Sequence, residues 1–446
     1  MTFNKARQIL ENDSLFLVSS NAAQLLIRLL STVVLTRILD PNSYGILAII
    51  TTIQIVVLLT SDLGLYPYVV RSKLYQDEKF LNDVWSIRLI RGFLNSLLIF
   101  FLAPLVSLYT GSTEIEKAIQ AVSLLPLLEA LTSMAFATAA REGKIKLLTI
   151  SEFIPSVFGI LVSILICYLM DSYWGIIISG YISIIIKIYF SYRLFPNSKR
   201  NFSVSVKALR DMWKFSKYIL PSSLISLIIG QFDKVLFARI FTLNELGLYN
   251  VASNLGLAPV SLVSSYSSRI LYPVFVDSFN KTPDQKSEIF YGTDRKIRAA
   301  ILFLFGLFCF SSTLIVDVLY DDRYIGAAKY LFALSIYSVL SYVVSISIES
   351  LIAIGYEKST FYSNLVRVFS LIFFLTIFFF SLPLKFVVYA LPASVFATYI
   401  FNLFRLQKLG IFRIKGEISY WLYFFAGGVG GTVFSQLVAF QGFSQL

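Results

Sequence analysis

Polar residues follow one face of an otherwise apolar helix near the start of the chain. Asn21, Gln24 and Arg28 are spaced three or four residues apart, and Ser31 and Thr32 continue the row. Residues at this spacing lie on one side of an α-helix. Amide, hydroxyl and guanidinium groups can bind a polar or anionic ligand. We therefore expect this stripe to face a hydrated cavity rather than lipid.

A second polar stripe occurs about 202 residues later. Ser223, Ser226, Gly230, Asp233 and Lys234 follow the same helical spacing at the corresponding positions. Two matching stripes predict that the two helices face each other across a central cavity. The adjacent Asp233 and Lys234 also fit a structural charge pair, and that alternative stays open.

Other charged residues interrupt apolar stretches. A charge at the middle of a membrane span costs about 3 kcal/mol on insertion scales, so each is a candidate functional residue. We predict the following substrate contacts: Asn21, Gln24, Arg28, Arg88, Arg91, Lys234 and Arg367. We predict the following ion-coupling or charge-pair residues: Asp62, Glu129, Asp233 and Glu349. The alternative for Arg28 is an ion pair with Glu129 or Asp62, and for Arg367 and Glu349 it is exposure at the inner surface.

Most catalytic chemistry is excluded by residue types. The chain has no histidine and two cysteines, Cys167 and Cys309, which lie far apart in apolar runs. No Ser/His/Asp triad, zinc cluster or phosphate-binding loop can be built from this sequence. We therefore expect no catalytic residues, no metal and no cofactor apart from H⁺ or Na⁺ coupling. The net charge of +12 does not indicate nucleic-acid binding, because the basic residues lie in short loops between apolar runs.

The hydrophobic composition predicts an all-α protein that spans a membrane many times. Hydrophobic residues make up 57% of the chain, charged residues only 14%, and the mean hydropathy is +0.75. A spanning helix needs about 20 apolar residues. The predicted spans are 15–38, 43–70, 86–109, 118–140, 147–170, 174–195, 215–240, 246–276, 297–320, 326–354, 360–381, 384–406 and 418–440.

The loop charges predict the orientation. When the N-terminus is placed in the cytoplasm, the inner loops hold most of the lysines and arginines, as the positive-inside rule requires. The longest basic segment runs from Arg193 to Lys217. We expect a multi-pass protein of a bacterial cytoplasmic (inner) membrane with a cytoplasmic N-terminus.

An internal repeat divides the chain. RILDPNSYG from Arg37 aligns with RIFTLNELG from Arg239, and two shorter matches follow in the same order. The repeat unit is six spans, which predicts two pseudo-symmetric lobes related by an axis along the membrane normal. We predict an N-terminal lobe at 1–210, a C-terminal lobe at 211–415 and an additional helix at 416–446. The AGGVGG run in that helix suits close helix packing.

Several segments resemble a known family, the Wzx-type oligosaccharide flippases, which are related to multidrug and toxin extrusion transporters. The resemblance covers residues 3–415 and is carried by SSNAAQLL in the first span, RILDPNSYG, DLGLYPYVVR, KFSKYILPSSL, FDKVLFARIF, LNELGLYNVASN and LYPVFVDSF. It implies two six-helix lobes around a V-shaped cavity, and no enzymatic activity. It further implies transfer of an undecaprenyl-diphosphate-linked oligosaccharide from the inner to the outer leaflet, for O-antigen, capsule or another surface polysaccharide. We expect this transfer to proceed by alternating access. A polysaccharide polymerase complex would be a further partner.

Two other functions stay open at this stage. A drug or small-cation antiporter of the same fold would favour acids over bases in its cavity, whereas bases are as prominent here. A membrane-embedded glycosyltransferase or polymerase could use Asp321 and Asp322 as catalytic acids. Such enzymes usually carry a large external loop, and the outer loops predicted here are short.

Overall fold

The computed structural model of the chain is built from helices. It describes residues 3–195, 200–260, 267, 271–276, 281–356 and 358–440. The fold consists of two compact units, residues 1–247 and 248–446. We describe each unit separately, and the predicted division into lobes at residues 210 and 415 stays a prediction.

The first unit contains ten complete helices and the beginning of an eleventh among its described residues. They are α1 (Phe3–Ile38), α2 (Pro41–Thr60), α3 (Leu65–Arg71), α4 (Glu78–Thr110), α5 (Thr113–Val122), α6 (Leu125–Ala130), α7 (Ala135–Arg141), α8 (Ile145–Met170), α9 (Trp174–Arg193), α10 (Val206–Ile240) and α11 (Leu243–Gly256). Helix α1 packs on α8, α8 on α9, and α10 on α2 and α4.

The second unit is also helical throughout its described part. Its helices are α12 (Tyr272–Val276), α13 (Pro283–Gly292), α14 (Arg295–Phe310), α15 (Ser312–Leu319), α16 (Ala327–Ala353), α17 (Ser359–Ser381), α18 (Ala390–Lys408) and α19 (Ile414–Phe440). Helix α16 packs on α18, which also packs on α17.

Ten described helices are long and apolar enough to cross a membrane, and two bent pairs would raise the number to 12. The bent pairs fall at the predicted spans 118–140 and 297–320, with bends of 50° and 69°. The predicted span 246–276 lies partly outside the described residues. An all-helical protein with about a dozen spans is therefore confirmed.

One predicted span is interrupted. Instead of one helix over 43–70, α2 ends at Thr60 and α3 begins at Leu65. Gly64 takes a left-handed conformation with a φ of 63°, which a side chain on Cβ would oppose. The Asp62 carboxylate accepts a hydrogen bond from Gly64 N at 2.9 Å and so holds the turn in place. Sequence periodicity alone missed this break because apolar residues continue on both sides of it.

Helix α2 begins with a well-formed cap. Asp40 accepts hydrogen bonds from Ser43 N at 2.9 Å and from the Asn42 side-chain amide at 3.1 Å, and Pro41 follows it in the first turn. Partial burial raises the pKa of Asp40, but these hydrogen bonds outweigh it, and the pKa lies below its ordinary value. This turn is the first copy of the repeated RILDPNSYG segment.

The two copies of the repeat contact each other through their shared glycine. A Cβ on Gly45 would lie 2.1 Å from the Leu243 carbonyl oxygen, and one on Gly247 would lie 1.7 Å from the Pro41 carbonyl oxygen. Gly45 and Gly247, like Pro41 and Leu243, are 202 residues apart. The contact is therefore reciprocal, which is a local two-fold pseudo-symmetry. Only glycine permits this close approach of α2 and α11.

The last helix packs on α14 through small residues. A Cβ on Gly306 would lie 1.9 Å from the Phe424 carbonyl oxygen, and one on Gly427 would lie 2.0 Å from the Phe303 carbonyl oxygen. This confirms that the AGGVGG run serves close helix packing. At the start of α19, the buried Glu417 carboxylate accepts hydrogen bonds from the hydroxyls of Tyr291 and Tyr399. Helix α19 is thus integrated into the second unit.

We expect Gly247→Ala to lower the thermal unfolding midpoint of the purified protein. The added methyl group overlaps a backbone oxygen, and overpacking of this kind costs about 1–3 kcal/mol or more. Gly230→Ala is the matched control, because a Cβ there meets open space within helix α10. If Gly247→Ala unfolded at the same temperature as Gly230→Ala, the reciprocal glycine contact would be wrong.

Candidate functional site

Two adjoining cavities lie inside the first unit. The serine cavity, of about 580 Å³, is lined by Ser31, Ser156, Ser163, Ser179 and Ser183 together with Gln24 and Gly180. The arginine cavity, of about 420 Å³, is lined by Arg88 and Arg91 together with Asp62 and Tyr66. Glu129, Glu152 and Lys187 line both cavities, so the two share one wall of charged residues.

Arg88 stabilises the bend between α6 and α7. Its Nη2 atom donates to the Glu129 carbonyl oxygen at 2.9 Å and to the Thr132 hydroxyl at 2.7 Å, while Nη1 lies 3.4 Å from the Thr132 carbonyl oxygen. The carbonyls at the end of a helix have no partner within the helix, and a cation there is favourable. Arg88 therefore adds hydrogen bonds at the bend, where the Glu129 carbonyl oxygen also accepts from Thr132 N at 3.2 Å.

Side chains of α9 complete the same bend. The Tyr192 hydroxyl donates to the Leu131 carbonyl oxygen at 2.8 Å, and the Ser191 hydroxyl accepts from Ser133 N at 3.0 Å. Unpaired backbone groups are costly inside a membrane, so a break in a span needs such partners. The bend at 131–134 is thus held by α4 on one side and by α9 on the other.

Arg91 and Asp62 form hydrogen bonds at the break between α2 and α3. Arg91 Nη2 donates to the Leu58 carbonyl oxygen at 2.9 Å, and Nε donates to the Ser61 hydroxyl at 3.2 Å. Asp62 accepts from Gly64 N and, at 2.9 Å, from the Ser223 hydroxyl of α10. The predicted roles of Arg91 in substrate binding and of Asp62 in coupling stay predictions, because both residues also hold the backbone.

Glu129 and Lys187 form the ion pair in the shared wall. Lys187 Nζ lies 2.7 Å from Glu129 Oε1, and Arg88 Nη2 lies 3.8 Å from the same oxygen. The Glu129 side chain is 40% exposed and that of Lys187 is 27% exposed, so both reach the cavities. Glu129 therefore serves as counter-ion to two bases, which fits its predicted place among the coupling or charge-pair residues.

Some residues of the polar stripe on α1 line the serine cavity, and others are exposed. Gln24 donates to the Ser156 hydroxyl of α8 at 2.7 Å, and Ser31 is buried against the cavity. Asn21 and Arg28 are exposed. Within the described part of the chain, no carboxylate lies within ion-pair distance of Arg28, so the alternative pairing with Glu129 or Asp62 is not formed.

The remaining predicted residues do not line either cavity. Asp233 is buried and Lys234 half-buried in α10, and neither lines the serine or the arginine cavity. In the second unit, the Arg367 guanidinium donates to the Tyr337 hydroxyl and lies 5.2 Å from the centre of that ring. Glu349 is half-buried in α16.

Lys187 and Glu152 were missed by the sequence analysis. Both lie inside predicted spans, at 174–195 and 147–170. A charged residue there is energetically unfavourable, so its presence indicates a candidate functional residue. Applying the same criterion to α8 and α9 as to the other spans would have found them.

The described cavities combine hydrogen-bonding groups with balanced charge. Three bases, Arg88, Arg91 and Lys187, face three acids, Asp62, Glu129 and Glu152. Within the described residues no cluster of three metal-ligating side chains exists. This chemistry suits reversible binding of a polar molecule.

We expect Arg88→Lys to lower the thermal unfolding midpoint. A lysine ammonium cannot reach the three oxygens that the planar guanidinium contacts, and each backbone group left unpaired costs about 1–3 kcal/mol. Arg28→Lys is the matched control, because the exposed Arg28 makes no such contact in the described structure. Equal midpoints for the two variants in detergent would contradict the structural role of Arg88.

Comparison with known sequences supports a role in polysaccharide synthesis. The family described as "Polysaccharide biosynthesis protein" matches residues 34–329. The succinoglycan biosynthesis transport protein ExoT of Rhizobium meliloti (strain 1021) is 20% identical over 75% of this chain and 67% of its own length. The teichuronic acid biosynthesis protein TuaB of Bacillus subtilis (strain 168) is 24% identical over 36% of this chain, and the match spans a third (33%) of TuaB.

Solved structures share the fold. The lipid II flippase MurJ in an inward closed conformation superposes with a TM-score of 0.70 at 16% identity, covering 96% of this chain and 93% of MurJ. An inward-facing multidrug resistance transporter of the MATE family and MOP superfamily gives a TM-score of 0.65 at 14% identity, covering 86% and 95%. The fold, the many spans and the family match over residues 34–329 together show that this chain is a multi-span membrane protein of the polysaccharide biosynthesis protein family.

Proposed function

We propose that this protein is a flippase for a polyprenyl-diphosphate-linked oligosaccharide repeat unit. It would move the unit from the inner to the outer leaflet of a bacterial cytoplasmic membrane by alternating access, with the N-terminus in the cytoplasm. The observation that carries the proposal is the polysaccharide biosynthesis family match, on a fold shared with the lipid II flippase MurJ. The relative ExoT is itself named a transport protein.

The polar cavities of the first unit support the proposal. A saccharide diphosphate cannot cross the hydrocarbon core unaided, because its charges and hydroxyls would lose their water. The serine and arginine cavities offer hydroxyl, amide and charged groups at the depth of the spans. The polyprenyl tail can stay in the bilayer while only the polar head enters the protein.

The exposed Arg28 is the residue that we propose to contact the anionic head of the substrate. Its position in α1 is within a candidate span, Ser19–Ile38, where a charge without a partner is unfavourable. Arg88 and Arg91 would add positive potential from the arginine cavity, although their guanidinium groups are already hydrogen-bonded to the backbone. The protein would act without catalysing covalent chemistry, and a polysaccharide polymerase would take its product.

Coupling to H⁺ or Na⁺ is a further part of the proposal. Glu129 is the best-placed acid for it, since this residue is shared by Arg88 and Lys187 and reaches both cavities. A cation bound at the Glu129 carboxylate would compete with Lys187 for it and change the charge of the shared wall.

A cation-coupled drug antiporter is the second candidate. The MATE transporter shares the fold, and the cavities hold as many acids as bases. Deletion of the gene distinguishes the two functions, because loss of an antiporter would change drug tolerance and leave surface polysaccharide intact.

We expect deletion to abolish the surface polysaccharide and to cause lipid-linked repeat units to accumulate on the cytoplasmic side. The intact gene should reverse both effects. Arg28→Ala should reach the membrane in normal amounts but lower export about tenfold or more, as expected when a charged contact is lost. The measurements are polysaccharide on the cell surface and lipid-linked saccharide in membrane extracts.

The conservative variant Arg28→Lys is the control, and it should retain part of the export because it keeps the charge. Full export by a normally expressed Arg28→Ala variant would remove the proposed role of this arginine. Normal polysaccharide in the deletion strain would refute the flippase itself.

A further inference from the structure

The serine cavity differs chemically from the arginine cavity beside it. Its lining contains five serine hydroxyls and the Gln24 amide. Four of the hydroxyls donate to backbone carbonyl oxygens and so can still accept a hydrogen bond from a ligand: those of Ser31, Ser163, Ser179 and Ser183. The apolar side chains Ile160, Ile176 and Ile184 lie between these polar groups. A lining of this kind fits a molecule that carries both hydroxyl groups and apolar C–H faces.

The charges of the serine cavity argue against an anionic ligand. Its lining has two acids, Glu129 and Glu152, and one base, Lys187. Lys187 is already neutralised by Glu129 at 2.7 Å. Glu152 is exposed, and among the described residues no base lies within 4.0 Å of its carboxylate. The excess of acid over base in this lining therefore disfavours a phosphate or a carboxylate. The arginine cavity, which Glu152 also lines, has as many bases as acids because Arg88 and Arg91 contribute to it.

The same carboxylate favours a neutral hydroxyl-rich ligand. An ionised carboxylate has only acceptor sites and binds two hydroxyl donors well. The serine cavity has a volume of about 580 Å³, which lies in the range of small-molecule sites, roughly 300–1,000 Å³.

From these features we propose that the serine cavity is a binding subsite for an uncharged sugar residue of the transported molecule. Glu152 and the serines would bind the sugar hydroxyls, while the phosphate groups would stay outside this cavity, on the side of Arg88 and Arg91. This assignment rests on the proposed flippase function and specifies which part of the substrate the first unit binds.

Gly180 offers a direct way to fill the cavity. It lines the serine cavity, and a Cβ at this position meets no atom within 4 Å. A larger side chain can therefore enter the cavity without displacing the backbone of α9. Ile185 lies on the same helix and its side chain is 56% exposed, so Ile185→Phe adds a ring outside the cavity and serves as the matched control.

We expect Gly180→Phe to lower export of surface polysaccharide about tenfold, with normal amounts of protein in the membrane. Ile185→Phe should leave export unchanged. Both variants would be tested by complementing the deletion strain. In that strain, accumulation of lipid-linked repeat units, reversed by the wild-type gene, tests the flippase function independently. Unchanged export by Gly180→Phe would overturn the subsite.

A photo-crosslinking experiment identifies the bound group. A photoreactive aliphatic amino acid of about the size of isoleucine would replace Ile184, which lines the serine cavity, or Ile185 as the control, in cells grown on radiolabelled glucose. After irradiation, the purified protein is treated with mild acid, which cleaves the bond between sugar and phosphate. A sugar bonded directly to the protein keeps its label, whereas a sugar held only through the lipid phosphate is lost.

The acid-stable label decides the assignment. We expect it at position 184 and not at position 185. If the label at position 184 is absent, or is removed by acid, the sugar subsite is wrong whatever the export level. In that case the flippase function still stands if the deletion strain accumulates lipid-linked repeat units and the wild-type gene reverses this.

Discussion

The first unit depends on hydrogen bonds that satisfy the backbone where two spans are broken. Inside a bilayer there is no water to take the place of a missing helical hydrogen bond. Arg88 supplies partners at the bend near Thr132, and Arg91 supplies them at the end of α2. Both arginines belong to α4, three residues apart, so one helix stabilises both breaks. The cavities lie beside these breaks, where polar backbone and polar side chains are brought together.

This arrangement changes the interpretation of a charge within a span. A charged side chain within a membrane span is energetically unfavourable. Three of these side chains form hydrogen bonds with the backbone at the broken spans: Arg88, Arg91 and Asp62. Arg28 and Glu152 have no such match among the described residues and are exposed. The first group therefore holds the backbone around the cavities, and the second group is the one that we propose to contact the substrate.

The helical class and the approximate number of spans could be predicted from the sequence, because a helix that crosses a bilayer needs about 20 apolar residues whatever its neighbours are. The internal repeat could also be recognised in the sequence. Its two copies share a glycine, at Gly45 and Gly247, because a Cβ at either position would overlap a backbone carbonyl oxygen of the other copy. The break at Gly64 was missed, although the polar residues Thr60, Ser61 and Asp62 precede it, because the apolar runs on both sides were joined into one span. The site was only partly predictable. Arg88, Arg91, Asp62, Glu129 and Gln24 do line adjoining cavities, but which charges pair with one another depends on helix packing.

The central claim is that the protein moves a lipid-linked saccharide between leaflets, and purified protein in liposomes tests it most directly. The vesicles would contain a polyprenyl-diphosphate oligosaccharide with an oxidisable sugar, and periodate added outside would report the fraction of sugar exposed. The account predicts that all of the lipid becomes accessible with time in vesicles with wild-type protein, and more slowly with Gly180→Phe. Accessibility that stays at the outer-leaflet fraction, as in protein-free vesicles, would contradict it.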